Sequence, residues 1–127
     1  MTVHAAASAG ASRVLVVEDE LLVAMLIEDY LSDLGYHVIG PAMKLDRAMD
    51  LAGMADLDFA VLDINLGQKL SFPVADILRS RNIPFIFATG GMRDTPAEHY
   101  PDAIVLPKPF NLADLERALG TAQLHLV

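Results

Sequence analysis

The sequence contains no cysteine, few basic residues and no long apolar run, and each absence excludes a class of protein. Without cysteine it can form neither a disulfide framework nor a cysteine-based zinc site, and thiols do not indicate the redox compartment. Lysine and arginine number 9 against 17 acidic residues, which gives a formal charge of -8. Because binding to phosphate backbones and anionic lipids relies on clustered basic residues, we expect no nucleic-acid or membrane partner.

No apolar stretch approaches the roughly 18 residues that are needed to span a bilayer. Residues 1–12 are rich in alanine and serine but lack the basic start and apolar core of an export signal. We interpret them as a loose tail and expect a cytoplasmic protein. Residues 13–127 make up about one domain, and an apolar content of 54% suits a well-cored globular fold.

Short apolar runs alternate with stretches of helical periodicity along this domain. The runs predict strands at residues 14–17, 36–39, 59–62, 83–88 and 103–106. The periodic stretches predict helices at residues 20–34, 45–54 and 71–81 and after residue 111. Ser71 and Asn111 are the predicted N-caps of the last two, and a loop is expected around Gly67. The segment from Gly90 to Asp102 is rich in glycine and proline, so a fourth of about five helices there should be short or irregular.

Alternating strands and helices predict a parallel sheet, because each right-handed crossover returns the chain in the same direction. The economical choice is a doubly wound, flavodoxin-like α/β fold with five strands in the order 2-1-3-4-5. The first and third strands are then neighbours at the switch point, where such folds bind ligands beyond the carboxyl ends of the strands.

Charged and polar side chains follow these strand ends. Glu18 and Asp19 end the first strand, Asp63 ends the third, Thr89 ends the fourth, and Lys108 follows the fifth. Each could have a local role, since carboxylates cap helices and threonine is common in turns. All five, however, fall on one rim of the predicted sheet, and three packed carboxylates repel one another unless a cation neutralises them.

A hard divalent cation such as Mg2+ would resolve that repulsion. It prefers oxygen ligands, so two carboxylates, a main-chain carbonyl such as that of Asn65, and waters would suffice. Zinc is not expected, because the histidines are scattered along the chain. A metal alone leaves Thr89 and Lys108 unexplained, whereas a phosphoryl group on a carboxylate needs a hydroxyl and an ammonium near its oxygens.

Four motifs in this order resemble the response regulator receiver domain, and they are 14-VLVVEDE-20, 62-LDINL-66, 88-ATG-90 and 107-PKPF-110. The resemblance implies a phosphoacceptor aspartate, Asp63, and a site for Mg2+ or Mn2+ formed by Glu18, Asp19, Asp63 and the carbonyl of Asn65. It also implies that Thr89 and Lys108 bind the phosphoryl oxygens and that the Lys108–Pro109 peptide bond is cis.

The stretch from Phe87 to Met92 also resembles the FAT GUY subgroup of alphaproteobacterial single-domain receivers. That subgroup is associated with sensor histidine kinases of the HWE and HisKA2 classes, and its final tyrosine is replaced here by Arg93. Many receivers carry a rotating Tyr or Phe three residues before the lysine, where this chain has Val105. We therefore hypothesise that Thr89 and the segment from Gly90 to Asp102 carry the conformational change.

The expected function is a phosphoacceptor switch rather than an enzyme acting on other substrates. Since Val127 closely follows the last helix, output is expected through docking to a downstream protein or return of phosphate to a phosphotransferase. Two alternatives remain. One is a non-phosphorylated pseudo-receiver that serves as an interaction module, although such modules usually lack the acceptor or the lysine. The other is a phosphatase of the haloacid dehalogenase type, which would place a second aspartate where Asn65 stands.

Overall fold

The computed structural model describes residues 12–90 and 100–126, and a parallel sheet forms the centre of this part of the chain. The strands in chain order are β1 (Arg13–Val17), β2 (His37–Ala42), β3 (Phe59–Asp63), β4 (Asn65–Leu66), β5 (Lys69–Leu70), β6 (Phe85–Thr89) and β7 (Ile104–Pro107). Five of them form the parallel sheet in the order β2-β1-β3-β6-β7. This order confirms the predicted flavodoxin-like topology.

Helices cover both faces of the sheet. Four lie in the described residues, namely α1 (Leu21–Asp33), α2 (Leu45–Met54), α3 (Phe72–Ser80) and α4 (Leu112–Leu126). The additional helix predicted between Gly90 and Asp102 falls mainly on residues 91–99, which lie outside the described ranges, as does nearly all of the predicted N-terminal tail. None of the described helices is both long and apolar enough to cross a membrane.

The core consists of two apolar layers, one on each face of the sheet. Leu15 and Val17 of β1 pack with residues of α2 and α3, whereas Val14 and Val16 pack with residues of α1 and α4. Side chains that alternate along a strand point to opposite faces. Because both faces are covered, residues 14–17 of β1 and 59–62 of β3 are continuously apolar, as expected for central strands of a doubly wound sheet.

Strand β2 extends further than its sequence suggests, since the prediction ended it before Gly40 and Pro41. The strand continues to Ala42, and its pairing with β1 shifts so that Val17 lies opposite Ala42. Gly40 has a φ of +99°, and a Cβ there would lie 2.8 Å from the backbone nitrogen of Ala42. Only glycine fits this position, so the residue read as a strand end in fact permits an irregular strand to continue.

The loop expected around Gly67 is a small hairpin formed by β4 and β5.

The two predicted helix caps have different outcomes. Asn111 caps α4 as predicted, because its Oδ1 accepts a hydrogen bond from the backbone nitrogen of Asp114 at 2.8 Å. In return, the Asp114 carboxylate accepts a hydrogen bond from the backbone nitrogen of Asn111 at 3.1 Å. Ser71 precedes α3 without capping it through its side chain, and its buried hydroxyl has no hydrogen-bond partner among the described residues.

Candidate functional site

The acidic residues and the lysine meet at the carboxyl edge of the sheet. Because β1 and β3 are adjacent and parallel, with Val17 beside Leu62, the residues that follow β1 approach Asp63 at the end of β3. Lys108 follows β7, and its backbone nitrogen donates a hydrogen bond to the Thr89 carbonyl at 2.8 Å. The Lys108–Pro109 bond is cis, as the resemblance implied.

The Lys108 ammonium lies among three carboxylates. Its Nζ is 2.7 Å from Glu18 Oε1, 3.2 Å from Asp63 Oδ2 and 3.9 Å from Glu20 Oε1. The Glu18 side chain is fully buried and that of Asp63 is 7% exposed, whereas that of Glu20 is 67% exposed. The two buried carboxylates therefore share one cation in a region where water screens charges weakly.

Four carboxylates form a compact group that could hold a cation. One oxygen from each of Glu18, Asp19, Glu20 and Asp63 lies within 4.8 Å of the others. Glu20 was not predicted to belong to this group, because in sequence it reads only as the start of a helix. One ammonium cannot neutralise four carboxylates, and all the donors are hard oxygens, so the residues fit Mg2+ or Mn2+.

Burial and charge alter two pKa values in this group. Burial raises the pKa of Glu18 from 4.5 to about 7, and the nearby carboxyl of Asp63 raises it as well, while Lys108 and the Glu20 backbone act in the opposite direction. Burial by itself would lower the pKa of Lys108, but its pairing with Glu18 and Asp63 outweighs that effect and raises it. Lys108 is thus a permanent cation at neutral pH, whereas Glu18 titrates near neutrality.

Backbone N–H groups contact three of the carboxylates. The nitrogen of Glu20 donates to Glu18 Oε2 at 3.1 Å, that of Asn65 to Asp63 Oδ1 at 3.3 Å, and that of Gly67 to Asp19 Oδ2 at 2.7 Å. An open cleft of about 410 Å³ lies above them, lined by Asp19, Glu20, Asp63, Asn65, Gly90 and Lys108. The structure thus brings together all the predicted acidic residues, Asn65 and Lys108, while half-buried Thr89 ends β6 directly before Gly90.

An apolar surface adjoins this cleft on the first two turns of α1. It consists of four large side chains, each at least 44% exposed, and we call it the α1 apolar face: Leu21, Leu22, Met25 and Leu26. Helix α1 begins immediately after Glu20, which lines the cleft. The carboxylate site and an exposed apolar surface are therefore contiguous.

Aromatic side chains pack around the end of the segment that is hypothesised to move. Val105 is 39% exposed on β7. Tyr100 is buried, with its ring 5.6 Å from that of Phe87; its hydroxyl donates to Asp76, and its oxygen lies 3.2 Å from the Phe72 carbonyl oxygen. Residues 91–99, which make up most of the segment, lie outside the described ranges, so its role as a switch stays a prediction.

These features define a flavodoxin-like α/β domain with an acidic and lysine-containing site at its switch point. The family profile for the response regulator receiver domain matches residues 14–120, and the chain belongs to this family. The receiver fold is that of a signalling domain.

Similar proteins are known in several bacteria. The transcriptional regulatory protein PdtaR of Mycobacterium tuberculosis is 30% identical over 87% of this chain and 56% of its own length. The phyllosphere-induced regulator PhyR of Methylorubrum extorquens is 32% identical over 88% of this chain and 43% of its own length. The chain thus spans only about half the length of the curated relatives it matches.

Solved structures resemble the whole domain. The solution structure of SdrG from Sphingomonas melonis is 39% identical, with a TM-score of 0.80 over 88% of this chain and 96% of SdrG. The BeF3-activated conformation of SdrG is 40% identical, with a TM-score of 0.73 over 91% of this chain and 96% of SdrG.

Proposed function

We propose that this receiver domain accepts a phosphoryl group on Asp63 from the phosphohistidine of a sensor histidine kinase, with Mg2+ or Mn2+ bound beside it. The observation that carries the proposal is the position of Lys108 Nζ, 3.2 Å from Asp63 Oδ2 and 2.7 Å from Glu18 Oε1, within a group of four carboxylates. A carboxylate between an ammonium and a cation site is placed to become an acyl phosphate.

Asp63 suits the role of nucleophile for geometric reasons. One of its oxygens, Oδ1, accepts a hydrogen bond from the backbone of Asn65, while Oδ2 faces Lys108. The side chain lines the open cleft, so a donor can approach it although it is 7% exposed. Fixing both oxygens orients the attack and lowers its entropic cost.

The transfer proceeds by in-line displacement at phosphorus. An Asp63 oxygen forms the new P–O bond as the P–N bond of phosphohistidine breaks, and the electron pair returns to the ring nitrogen. The second ring nitrogen carries a proton, so the imidazole leaves as neutral histidine. Lys108 stabilises the negative charge on the phosphoryl oxygens, and the Thr89 hydroxyl donates to one of them. A bound divalent cation supplies further neutralisation of that charge. Attack by water at phosphorus then releases inorganic phosphate and restores the carboxylate.

The relatives support this proposal. SdrG has a BeF3-activated conformation, and BeF3 is an analogue of a phosphoryl group. A protein similar to this chain is therefore activated by a phosphoryl analogue. We carry this behaviour over to the present chain because Asp63, Lys108 and the acidic group are all in place. The proposal includes the cytoplasmic location expected from the sequence.

The proposal is tested by intact mass after incubation with acetyl phosphate and Mg2+. The wild type should gain about 80 Da, one phosphoryl group, and a chelator should abolish the gain. Asp63→Asn should gain nothing. Asp50→Asn, which changes an exposed aspartate of α2, serves as the matched control and should be phosphorylated like the wild type.

A wild type that stays unmodified should next be given phosphorylated kinases of the HWE and HisKA2 classes. We propose these classes as partners because 87-FATGG-91 resembles the FAT GUY subgroup. Lack of phosphorylation from both acetyl phosphate and these kinases would contradict the phosphoacceptor role. It would instead favour the pseudo-receiver alternative, in which the domain only binds partners. The haloacid dehalogenase alternative is no longer favoured, since the chain belongs to the receiver family.

We place the kinase on the α1 apolar face. A phosphohistidine that reaches Asp63 must bring its protein surface against the rim of the cleft, and the α1 apolar face adjoins that rim. Leu22 is the most exposed member, at 80%. Apolar side chains at the centre of an interface supply much of its binding energy.

The docking role can be separated from the chemistry with two phosphodonors. Leu22→Ser should be phosphorylated by acetyl phosphate at the wild-type rate but should accept phosphate from the kinase at least about tenfold more slowly, because a small donor needs no docking surface. Met54→Ser, at an exposed methionine that ends α2, is the matched control. Equal kinase transfer to both variants would show that the donor docks elsewhere.

A further inference from the structure

Buried residues anchor the hairpin formed by β4 and β5 to the apolar core. Leu66 is buried and Ile64, directly before the hairpin, is fully buried, both within the apolar layer that contains α2 and α3. The backbone nitrogen of Ser71, directly after the hairpin, donates to the Ile64 carbonyl at 2.9 Å. The two ends of the hairpin are therefore tied together, and its position relative to β3 is fixed.

This hairpin directs two backbone N–H groups at the carboxylate group. Asn65 donates to Asp63 Oδ1 at 3.3 Å, and Gly67, 48 residues from its acceptor, donates to Asp19 Oδ2 at 2.7 Å. Asn65 is the first residue of β4, whereas Gly67 lies in the turn between β4 and β5 and has a positive φ of +64°. The strand and the turn of the hairpin thus each contribute one donor to the site.

The Asp19 side chain lies between two open clefts. It is only partly buried, and it lines both the cleft over Asp63 and a second cleft on the side of the hairpin, which Gly67 and Lys69 also line. The carboxylate can therefore rotate between two open spaces. The hydrogen bond from Gly67 engages Oδ2 of Asp19. The other oxygen, Oδ1, is then left to bind a cation together with the other carboxylates.

We propose that the β4–β5 hairpin positions Asp19 for the divalent cation through the backbone N–H of Gly67. This inference rests on the proposed cation site and adds a positioning residue to it. Glycine suits this position because its φ is +64°, a conformation that turns the N–H towards Asp19 and that most other residues adopt at a cost in strain. A partner that orients a ligating carboxylate is typically worth about 10-fold to 100-fold in metal affinity.

Substitutions at Gly67 test the proposal. A Cβ at this position would meet nothing within 4 Å, so Gly67→Ala perturbs only the backbone. Gly35 is a matched control, since it too has positive φ, at +90°, and open space around its Cβ, but it follows α1 far along the chain from the hairpin. Gly67→Asn provides a rescue, because asparagine tolerates this backbone region better than alanine does.

The measurement is the dissociation constant for Mn2+ alone, from the electron paramagnetic resonance signal of the free ion. Gly67→Ala should bind about tenfold more weakly than the wild type, whereas Gly35→Ala and Gly67→Asn should stay within about twofold of it. At saturating Mg2+, the rate at which Gly67→Ala is phosphorylated by acetyl phosphate should return close to the wild-type value. This separation between affinity and rate distinguishes positioning of a ligand from general loss of structure.

Two results would overturn the inference, and they differ from failure of the proposed function. If the wild type binds Mn2+ and Gly67→Ala binds it equally well, the hairpin does not position Asp19 although the cation site stands. If Gly35→Ala weakens binding as much as Gly67→Ala does, the effect is strain alone. A wild type that binds neither Mn2+ nor Mg2+ would refute the cation site itself.

Discussion

Glu18 should make the metal-free protein less stable as the pH rises, opposite to the usual effect of a native-state carboxylate. Its pKa is raised from 4.5 to about 7 by burial, against the attraction of Lys108. The folded state therefore holds a proton more tightly than the unfolded chain does. The resulting stabilisation is fully present below pH 4.5 and is lost as the pH rises through 7.

The size of the effect follows from the same two pKa values. A rise from 4.5 to about 7 corresponds to at most about 3 kcal/mol, at 1.36 kcal/mol per pH unit. Between pH 5 and pH 8 the free energy of unfolding should fall by about 2 to 3 kcal/mol on account of Glu18. Lys108 does not contribute in this range, because its pKa is raised above an already alkaline value.

Urea unfolding followed by far-ultraviolet circular dichroism, in the presence of a chelator, measures this change. Glu18→Gln is the reference, since it removes the titrating group but keeps a side chain of similar size and leaves other titrations in place. Adding Mg2+ at pH 8 should restore stability to the wild type, because the cation replaces the proton as the partner of the buried carboxylate. Parallel pH profiles for the wild type and Glu18→Gln would refute the reasoning.

Four further substitutions test the packing, each by denaturant unfolding. Asn111→Ala should cost about 1 kcal/mol because it removes a helix cap, whereas Ser71→Ala should cost nothing, since the buried hydroxyl it removes has no partner among the described residues. Tyr100→Phe should cost about 1 to 2 kcal/mol, because the ring packing stays while the hydrogen bond to Asp76 is lost. Gly40→Ala should cost at least about 3 kcal/mol, because it combines positive φ with a backbone clash at 2.8 Å.

The sheet order and most of the site could be predicted because both depend on local patterns. Apolar runs that stop at acidic residues identify the carboxyl ends of β1 and β3, and the parallel topology then brings Asp19 and Asp63 to the same edge. Lys108 could be assigned to that edge because it directly follows the last strand. None of these steps requires knowledge of a side-chain conformation.

What could not be predicted depends on contacts between distant parts of the chain. Glu20 belongs to the carboxylate group because its side chain lies close to Asp63 and Lys108, which follow from other strands, and a local reading of the helix start cannot reveal this. The hairpin is missed because its strands are two residues each, too short for a periodic signal. Gly40 reads as a strand end by composition, while its close approach to Val16 and Ala42 explains why the strand continues.

The distribution of charge indicates how phosphorylation, protonation and cation binding are linked. Among the described residues, Lys108 is the ammonium that pairs with the carboxylate group, and it contacts both Glu18 and Asp63. A phosphoryl group on Asp63 adds negative charge and draws Lys108 towards its own oxygens, which weakens the pairing with Glu18. Glu18 is fully buried and must then regain a partner, either a proton or a divalent cation. The phosphorylated state should therefore bind the cation more tightly than the unmodified state does, and by linkage the bound cation should favour phosphorylation to the same extent.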